Sequence, residues 1–323
     1  MNVSVVGAGV MGLAAARAIA QRGHDVTVYE QFELKHARGS SHGASRIFRL
    51  SYAHEYWIRL AQRAYELWRE LERESGRELL ALYGLLDVDP DPRVRLAAFE
   101  STGVDYEELT PEQAREQFGV AYDDVERVVF TRDAGIALAG SAIEAFAAGA
   151  RSAGAEIRER TRIESLEDVP GDRVVVTAGG WAPKLLEGAG HALDAKPTRE
   201  TTVYFAGDPI PSIIDELDGQ FYALTAPGVG VKAGWHKAGR EVDPDDENLE
   251  PDERIVDAVG EWVARRLTRI DPTPIRAETC LYTNIEGERF VCERRGRYVI
   301  GSACSGHGFK FAPAVGETLA DAL

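Results

Sequence analysis

The sequence predicts an α/β fold in which a parallel-sheet unit is interleaved with a second unit built on a mixed, largely antiparallel sheet. Three observations predict it. First, an apolar strand, a glycine-rich turn and a helix follow one another at the start, in MNVSVVGAGVMGLAAARAIA, and again at the end, in RYVIGSACSGHGFKFAPAVGETLADAL. Second, the segment VVVTAGGW repeats the buried-strand-into-glycine pattern in the middle of the chain. Third, from about Pro197 the texture changes to the alternating runs TTVYFAG, QFYAL and GVGVKAGWH, which suit antiparallel strands with one covered face.

Each element follows in order. Residues 3–6 form a short apolar strand, and Gly7-Ala8-Gly9-Val10-Met11-Gly12 fits GxGxxG before a helix that runs to about Arg22. Gly7 permits the tight turn, and Gly9 lets the backbone approach a pyrophosphate. Val10 and Met11 open the helix, whose N-terminal amides favour an anion, and Gly12 allows it to pack closely on the strand. A second strand, 25–29, ends at Glu30, where a carboxylate accepts hydrogen bonds from a ribose. This start therefore reads as a Rossmann-like dinucleotide site, and the motif alone does not separate FAD from NAD. Residues 55–75 form a long amphipathic helix, with Ile58, Ala61, Tyr65 and Trp68 recurring at helical spacing and facing a core. A strand at 84–88 leads into the polar, proline-bearing DPDPRVRLAAFESTG. Then come a helix at 141–153, strands at 155–158 and 173–177, and the turn Ala178-Gly179-Gly180-Trp181. After the alternating strands, the acidic REVDPDDENLEPDE reads as a solvated connection, since it lacks the glycine and spacing of a calcium loop. A helix at 253–267 and RAETCLYTN lead to the C-terminal strand and turn. Residues 1–80, 133–195 and 285–323 are expected to build the dinucleotide unit, and 81–132 and 196–284 the substrate unit.

Composition narrows the function class. The chain has 323 residues and a formal net charge of −16 at pH 7, which argues against nucleic acid and anionic membrane surfaces as partners. No charged leader precedes the first strand and no apolar run is long enough to span a bilayer, so a cytoplasmic enzyme is expected. Cys280, Cys292 and Cys304 cannot all pair, and their spacing suggests no zinc, so no metal is expected.

The segments SSHGASRIFR (40–49), GVKAGWH (230–236), AETCLYTN (277–284) and SGHGFKF (305–311) occur in the order and at roughly the separations of the monomeric sarcosine oxidase family, and the whole chain resembles that family, which includes N-methyltryptophan oxidase. The resemblance implies an FAD domain like that of glutathione reductase, a catalytic domain on a mixed sheet, a monomer, and oxidation of secondary amines to imines with reduction of oxygen to hydrogen peroxide. It further implies that Cys280 carries the flavin through an 8α-S-cysteinyl bond, although a free cysteine of this kind is otherwise a small buried hydrophobe. Cys292 stands where relatives tend to have an aspartate.

By the same resemblance, Arg49 and Lys310 bind the substrate carboxylate, Arg46 lies beside the flavin, and Lys232 activates oxygen. A guanidinium fork and an ammonium suit a carboxylate, and a preorganised cation suits the charge that develops on oxygen. His236 and Tyr282 match active-site positions. Tyr282 shares a strand face with Cys280 two residues earlier. His307 is a candidate for the substrate, and His42 and Gly179, with the turn residues Gly306, Gly308, Phe309 and Lys310, for the cofactor. FYALTAPGVGVKAGWH is shorter than the aromatic-bearing loop of relatives, so the identity of the amine is left open among sarcosine, other N-methyl amino acids, cyclic imino acids and glycated amino acids. The alternatives to an oxidase are an FAD dehydrogenase with another electron acceptor, an NAD-dependent dehydrogenase, which leaves the second glycine turn unexplained, and a flavin-binding protein without turnover.

Overall fold

The structure, a computed structural model, describes residues 1–323. Two large sheets and one small one organise it. In the first, Asn2–Val6 lies between Asp25–Tyr29 and Arg173–Val176, with Glu156–Arg158 and Tyr298–Ser302 beyond them, all parallel. Val291–Arg295 closes one edge antiparallel to Tyr298–Ser302. Side chains alternate between faces along a strand, and both faces here are apolar. Val5, Val28, Val175 and Val299 pack under helices Val10–Gln21, Ala139–Ser152, Glu55–Ser75 and Ala312–Asp321. Val6, Tyr29, Val174, Val176 and Ile300 instead face Leu166, Val169 and helix Ala182–Gly188.

The second sheet has nine strands. Its spine is Lys196–Phe205, paired along its length with Pro274–Asn284 on one side and, on the other, with Arg240–Glu241 at Thr198 and Arg199 and with Gly230–Trp235 from Thr202 to Phe205. Phe221–Ala226, Ser212–Asp215, Leu85–Val88, Val128–Thr131 and Glu107–Leu109 continue outward, and Leu85–Val88 with Ser212–Asp215 is the one parallel pair. Helix Glu253–Arg266 covers one face through Ile255, Val259, Trp262 and Val263, against which Val203, Val231 and Ala233 pack. Because Val231 and Ala233 point to that helix, the pleat turns Lys232 to the opposite face. The α/β class with a mixed, largely antiparallel second sheet is as expected. The third sheet, Ser45–Phe48 with Gly135–Leu138 and Leu80–Ala81, was not anticipated.

Several elements differ from the sequence reading. The proline-bearing segment after Val88 contains a helix, Arg93–Thr102, which begins after Pro92 and stops at Gly103 in the left-handed region (φ +71°). A second helix, Pro111–Phe118, is closed by a capping box between Thr110 and Gln113. The acidic segment is tied down at Asp245, which accepts from Arg162 and from Trp181 Nε1 at 2.8 Å. No helix is long and apolar enough to cross a membrane.

One buried carboxylate anchors the second sheet. Asp215 is fully buried and accepts from Trp262 Nε1 at 2.8 Å, Leu217 N at 2.9 Å and Tyr122 Oη at 3.1 Å, with Arg266 Nε 3.8 Å away. Asp215→Ala strands these donors without an acceptor. It is expected to cost about 3–5 kcal/mol, read as a lowered urea midpoint at unchanged slope.

Candidate functional site

The three glycine turns lie at the carboxyl ends of neighbouring parallel strands, where such sheets take their ligands. Gly7 adopts φ +98° and Gly12 sits so close to the Gly7 carbonyl and Thr177 Oγ1 that no Cβ fits, which explains both glycines by packing. One cavity runs along these turns. It is lined by Gly7, Gly9, Val10, Met11, Glu30, Gly179, Gly306, Gly308 and Phe309, and continues past Cys280 to Arg46, Arg49, Lys232, His236, Tyr282, His307 and Lys310. Of the residues predicted from sequence, Gly12 and His42 do not line it. Gly12 acts behind the wall, and His42 is packed among Arg46, Glu278 and Lys232, where burial first and the two cations next hold its imidazole down at about 4.

The dinucleotide end is built from backbone and Glu30. Its carboxylate accepts from Ala8 N at 2.8 Å and Phe32 N at 3.0 Å, which fixes the carboxylate while leaving lone pairs toward the cavity. His36 Nε2 stands 3.6 Å from the same carboxylate and was missed from sequence, where nothing marks it. In the C-terminal turn the amides of His307 and Gly308 are already spent on the Cys304 carbonyl. Buried Ser302 Oγ and Thr283 Oγ1, both on the cavity wall, have no partner within the protein. Orphaned polar atoms beside a cradle of glycines are what a polar, extended ligand would satisfy, so the residues present fit FAD.

Past the turns, four cations form two pairs. Arg49 lies over the Tyr52 ring at 4.2 Å and Lys310 Nζ over the same ring at 5.7 Å, which brings these two together. Lys310 is fixed at both ends: its Nζ donates to the His307 carbonyl at 2.6 Å, and its own carbonyl accepts from Trp68 Nε1 at 2.7 Å. Burial, and then Arg49, hold its ammonium well below the ordinary lysine range. Arg49 Nη1 lacks a hydrogen bond and stands 3.9 Å from buried Asp87. The second pair is Arg46, which donates to the Ser45 and Ser40 carbonyls at 2.9 and 2.8 Å, and Lys232, whose ammonium is pushed down to about 7 by burial and then by Arg46.

The histidines and tyrosines close the site. His236 packs beside Tyr282 with ring centroids 5.6 Å apart, and its Nε2 is 3.4 Å from the Glu288 carboxylate. His307 Nε2 is 2.9 Å from the Glu288 carbonyl, which only accepts, so Nε2 carries the proton and Nδ1 is left to face Tyr52 Oη at 3.4 Å. Cys280 and Tyr282 share a face of strand Pro274–Asn284, as the alternation requires. Cys304 also lines the cavity, and burial pushes the Cys280 thiol up. Cys292 is off the wall, its thiol pushed by burial up to about 12. Tyr222, Glu288 and Tyr52 were missed. Tyr222 sits between Gly234 and Tyr282 in the alternating QFYAL run, where its aromatic character was the available signal.

The family described as FAD dependent oxidoreductase (DAO) matches residues 2–322. A monomeric sarcosine oxidase of Bacillus sp. (strain B-0618) is 28% identical, over 98% of this chain and 90% of that protein. A peroxisomal sarcosine oxidase of Homo sapiens is likewise 28% identical over 98% of this chain and 90% of its own length. Among solved structures, NikD, an unusual amino acid oxidase essential for nikkomycin biosynthesis, superposes in its open form with a TM-score of 0.87 at 27% identity, covering 99% of this chain and 92% of that one.

Proposed function

The chain belongs to the family of FAD dependent oxidoreductases, and from that premise we propose that it is an oxidase of secondary amines whose substrates are N-methyl amino acids such as sarcosine. The observation that carries this reading is the pairing of Arg49 and Lys310 over Tyr52 in the same cavity that begins at Glu30 and the GxGxxG turn. A planar guanidinium and an ammonium on one ring form a clamp for a carboxylate, and a substrate held there lies with its amine toward the cavity interior.

The cofactor would be held by Gly7, Gly9, Val10, Met11 and Glu30 at one end and by Cys280, Arg46 and the Gly306–Lys310 turn at the other. The chemistry it supplies when bound is acceptance of a hydride from the carbon next to nitrogen and delivery of the electrons to oxygen, giving an imine and hydrogen peroxide. The amine must be neutral for its lone pair to stabilise the developing iminium. Arg46, Arg49, Lys232 and Lys310 favour that by repelling the ammonium proton, so no dedicated base is required. Lys232 and Arg46 supply positive charge where negative charge develops on oxygen. His236 and Tyr282 shape the wall against which the substrate methyl rests.

Cys280 is the proposed point of covalent attachment. The purified protein is expected to be yellow and to keep its flavin in the pellet after acid precipitation. Cys280→Ser should release flavin into the supernatant while still binding it, because Glu30 and the glycine turns are untouched. Full release from the wild type would overturn the bond, and an unchanged covalent yield in Cys280→Ser would move it to Cys304, the other thiol on the wall. A peroxide-coupled screen of secondary amino acids tests the reaction itself. Flavin reduction without peroxide would favour a dehydrogenase.

A further inference from the structure

Lys232 stands on a wall crowded with cations, and what keeps an ammonium there is not in the wall. Behind it lies Glu278, on strand Pro274–Asn284, which does not line the cavity. Strand register explains the placement: Tyr204 of the spine pairs with Lys232 on one side and with Arg276 on the other, and Thr202, two residues earlier, pairs with Glu278. The Glu278 carboxylate is pinned by both neighbours of that register. One oxygen accepts from Tyr204 Oη, and the other is 3.6 Å from Arg276 Nη2. All three charges then converge on Gly43 (φ +92°). A Cβ built there would lie 3.0 Å from Glu278 Oε1, 3.3 Å from Arg46 Nη1 and 3.6 Å from Lys232 Nζ. Gly43 has no side chain to separate them.

We propose that Glu278 is a positioning residue for Lys232, the counter-charge that keeps its ammonium in place against burial and the neighbouring guanidinium. The groups facing Lys232 from each packed element are Arg46 and His42 from the segment before and within Ser45–Phe48, Tyr204 from the spine, and Glu278, Cys280 and Arg276 from Pro274–Asn284. Burial, Arg46 and Arg276 push the ammonium toward its neutral form and Glu278 acts in the opposite direction, while the Cys280 thiol, which burial pushes up, brings no charge in the neutral range. Burial pushes the Glu278 carboxyl up, but Tyr204, Lys232, His42 and Arg276 outweigh it and keep the group ionised, so its charge is available across the neutral range. If Cys280 carries the flavin it likewise holds no charge, so Glu278 is in either case the anion facing this lysine.

The test compares Glu278→Gln and Glu278→Asp with wild-type holoenzyme, the melting temperature of each serving as a check on folding. The first readout needs no turnover: acetic anhydride labelling of Lys232 across pH, followed by peptide mass spectrometry. Loss of the opposite charge lowers the pH at which the amine becomes neutral, so Glu278→Gln is expected to label several-fold more at pH 7, with Glu278→Asp near wild type. The second is the pH profile of flavin reoxidation, whose falling limb should move to lower pH in Glu278→Gln, with anaerobic reduction by substrate retained. A labelling midpoint and a reoxidation limb unchanged in Glu278→Gln overturn the inference. Its kinetic arm rests on the proposed role of Lys232 with oxygen, which Lys232→Met checks separately. Wild-type reoxidation in Lys232→Met together with shifted labelling in Glu278→Gln would remove that role and leave the charge pairing standing.

Discussion

Lys310→Met is expected to lower kcat/KM by about two powers of ten, the effect of removing about 3 kcal/mol of charge recognition. The loss should fall on capture of the carboxylate, because the Lys310 ammonium faces a charge present before any chemistry occurs. Trp68 Nε1 donates to the backbone carbonyl of residue 310, a bond that the substitution leaves in place, and methionine fills nearly the same volume, so the variant keeps the cavity shape. Stopped-flow separates the half-reactions: Lys310→Met should raise the substrate concentration needed for anaerobic reduction and leave reoxidation close to wild type. Lys232→Met should do the reverse. The pH dependence has a definite sign. Lys310 is held below the ordinary lysine range in the free protein, and a bound carboxylate raises it again, so binding takes up a proton. Affinity for a carboxylate inhibitor should therefore weaken as pH rises above the titration of free Lys310, and this slope should vanish in Lys310→Met. Reoxidation should fall as pH rises through the titration of Lys232, and that limb should be absent in Lys232→Met. A Lys310→Met enzyme that captures substrate as well as the wild type would remove the carboxylate clamp.

What the sequence disclosed and what it withheld divide along a physical line. Glycines at Gly7, Gly9 and Gly12, the acid Glu30 and the helix Glu55–Ser75 were legible because turn sterics and helical periodicity are local properties. The register that places Glu278 behind Lys232 is not local. It depends on Lys196–Phe205 choosing Gly230–Trp235 for one neighbour and Pro274–Asn284 for the other, and no residue pattern within either strand states that choice. Glu288 was hidden for a second reason: it occupies the left-handed region at φ +56° beside Gly287, where an ordinary turn reading sees only a polar loop. Yet its carboxylate meets His236 and Lys237, and its carbonyl meets His307. The helix Arg93–Thr102 was within reach, since Pro92 and Gly103 bracket it with the start and stop signals that helices use.

Gly306→Ala should disable the site while leaving the fold intact. Gly306 is at φ +76°, and a methyl group there would stand inside contact distance of both the Tyr282 and the His236 rings. Both rings line the cavity, where the proposed reading rests the substrate on them, and neither has slack: His236 is tied to Glu288, and Tyr282 belongs to a strand paired along its length. The added methyl must therefore push the rings into the cavity or lift the turn that carries Lys310. A displacement on the order of 1 Å costs about a hundredfold in rate, so kcat/KM is expected to fall by about that factor. The backbone adds a cost of about 1–3 kcal/mol to stability, because a residue with a Cβ is strained in this region. Gly228→Ala separates the two effects. Gly228 adopts φ +75° in the turn between Phe221–Ala226 and Gly230–Trp235 and has open space around it, so it bears the same backbone strain with no ring to move. Both variants should melt lower than the wild type, and Gly306→Ala alone should lose activity. If Gly306→Ala turns over within a few-fold of Gly228→Ala, His236 and Tyr282 do not form the wall on which the substrate rests.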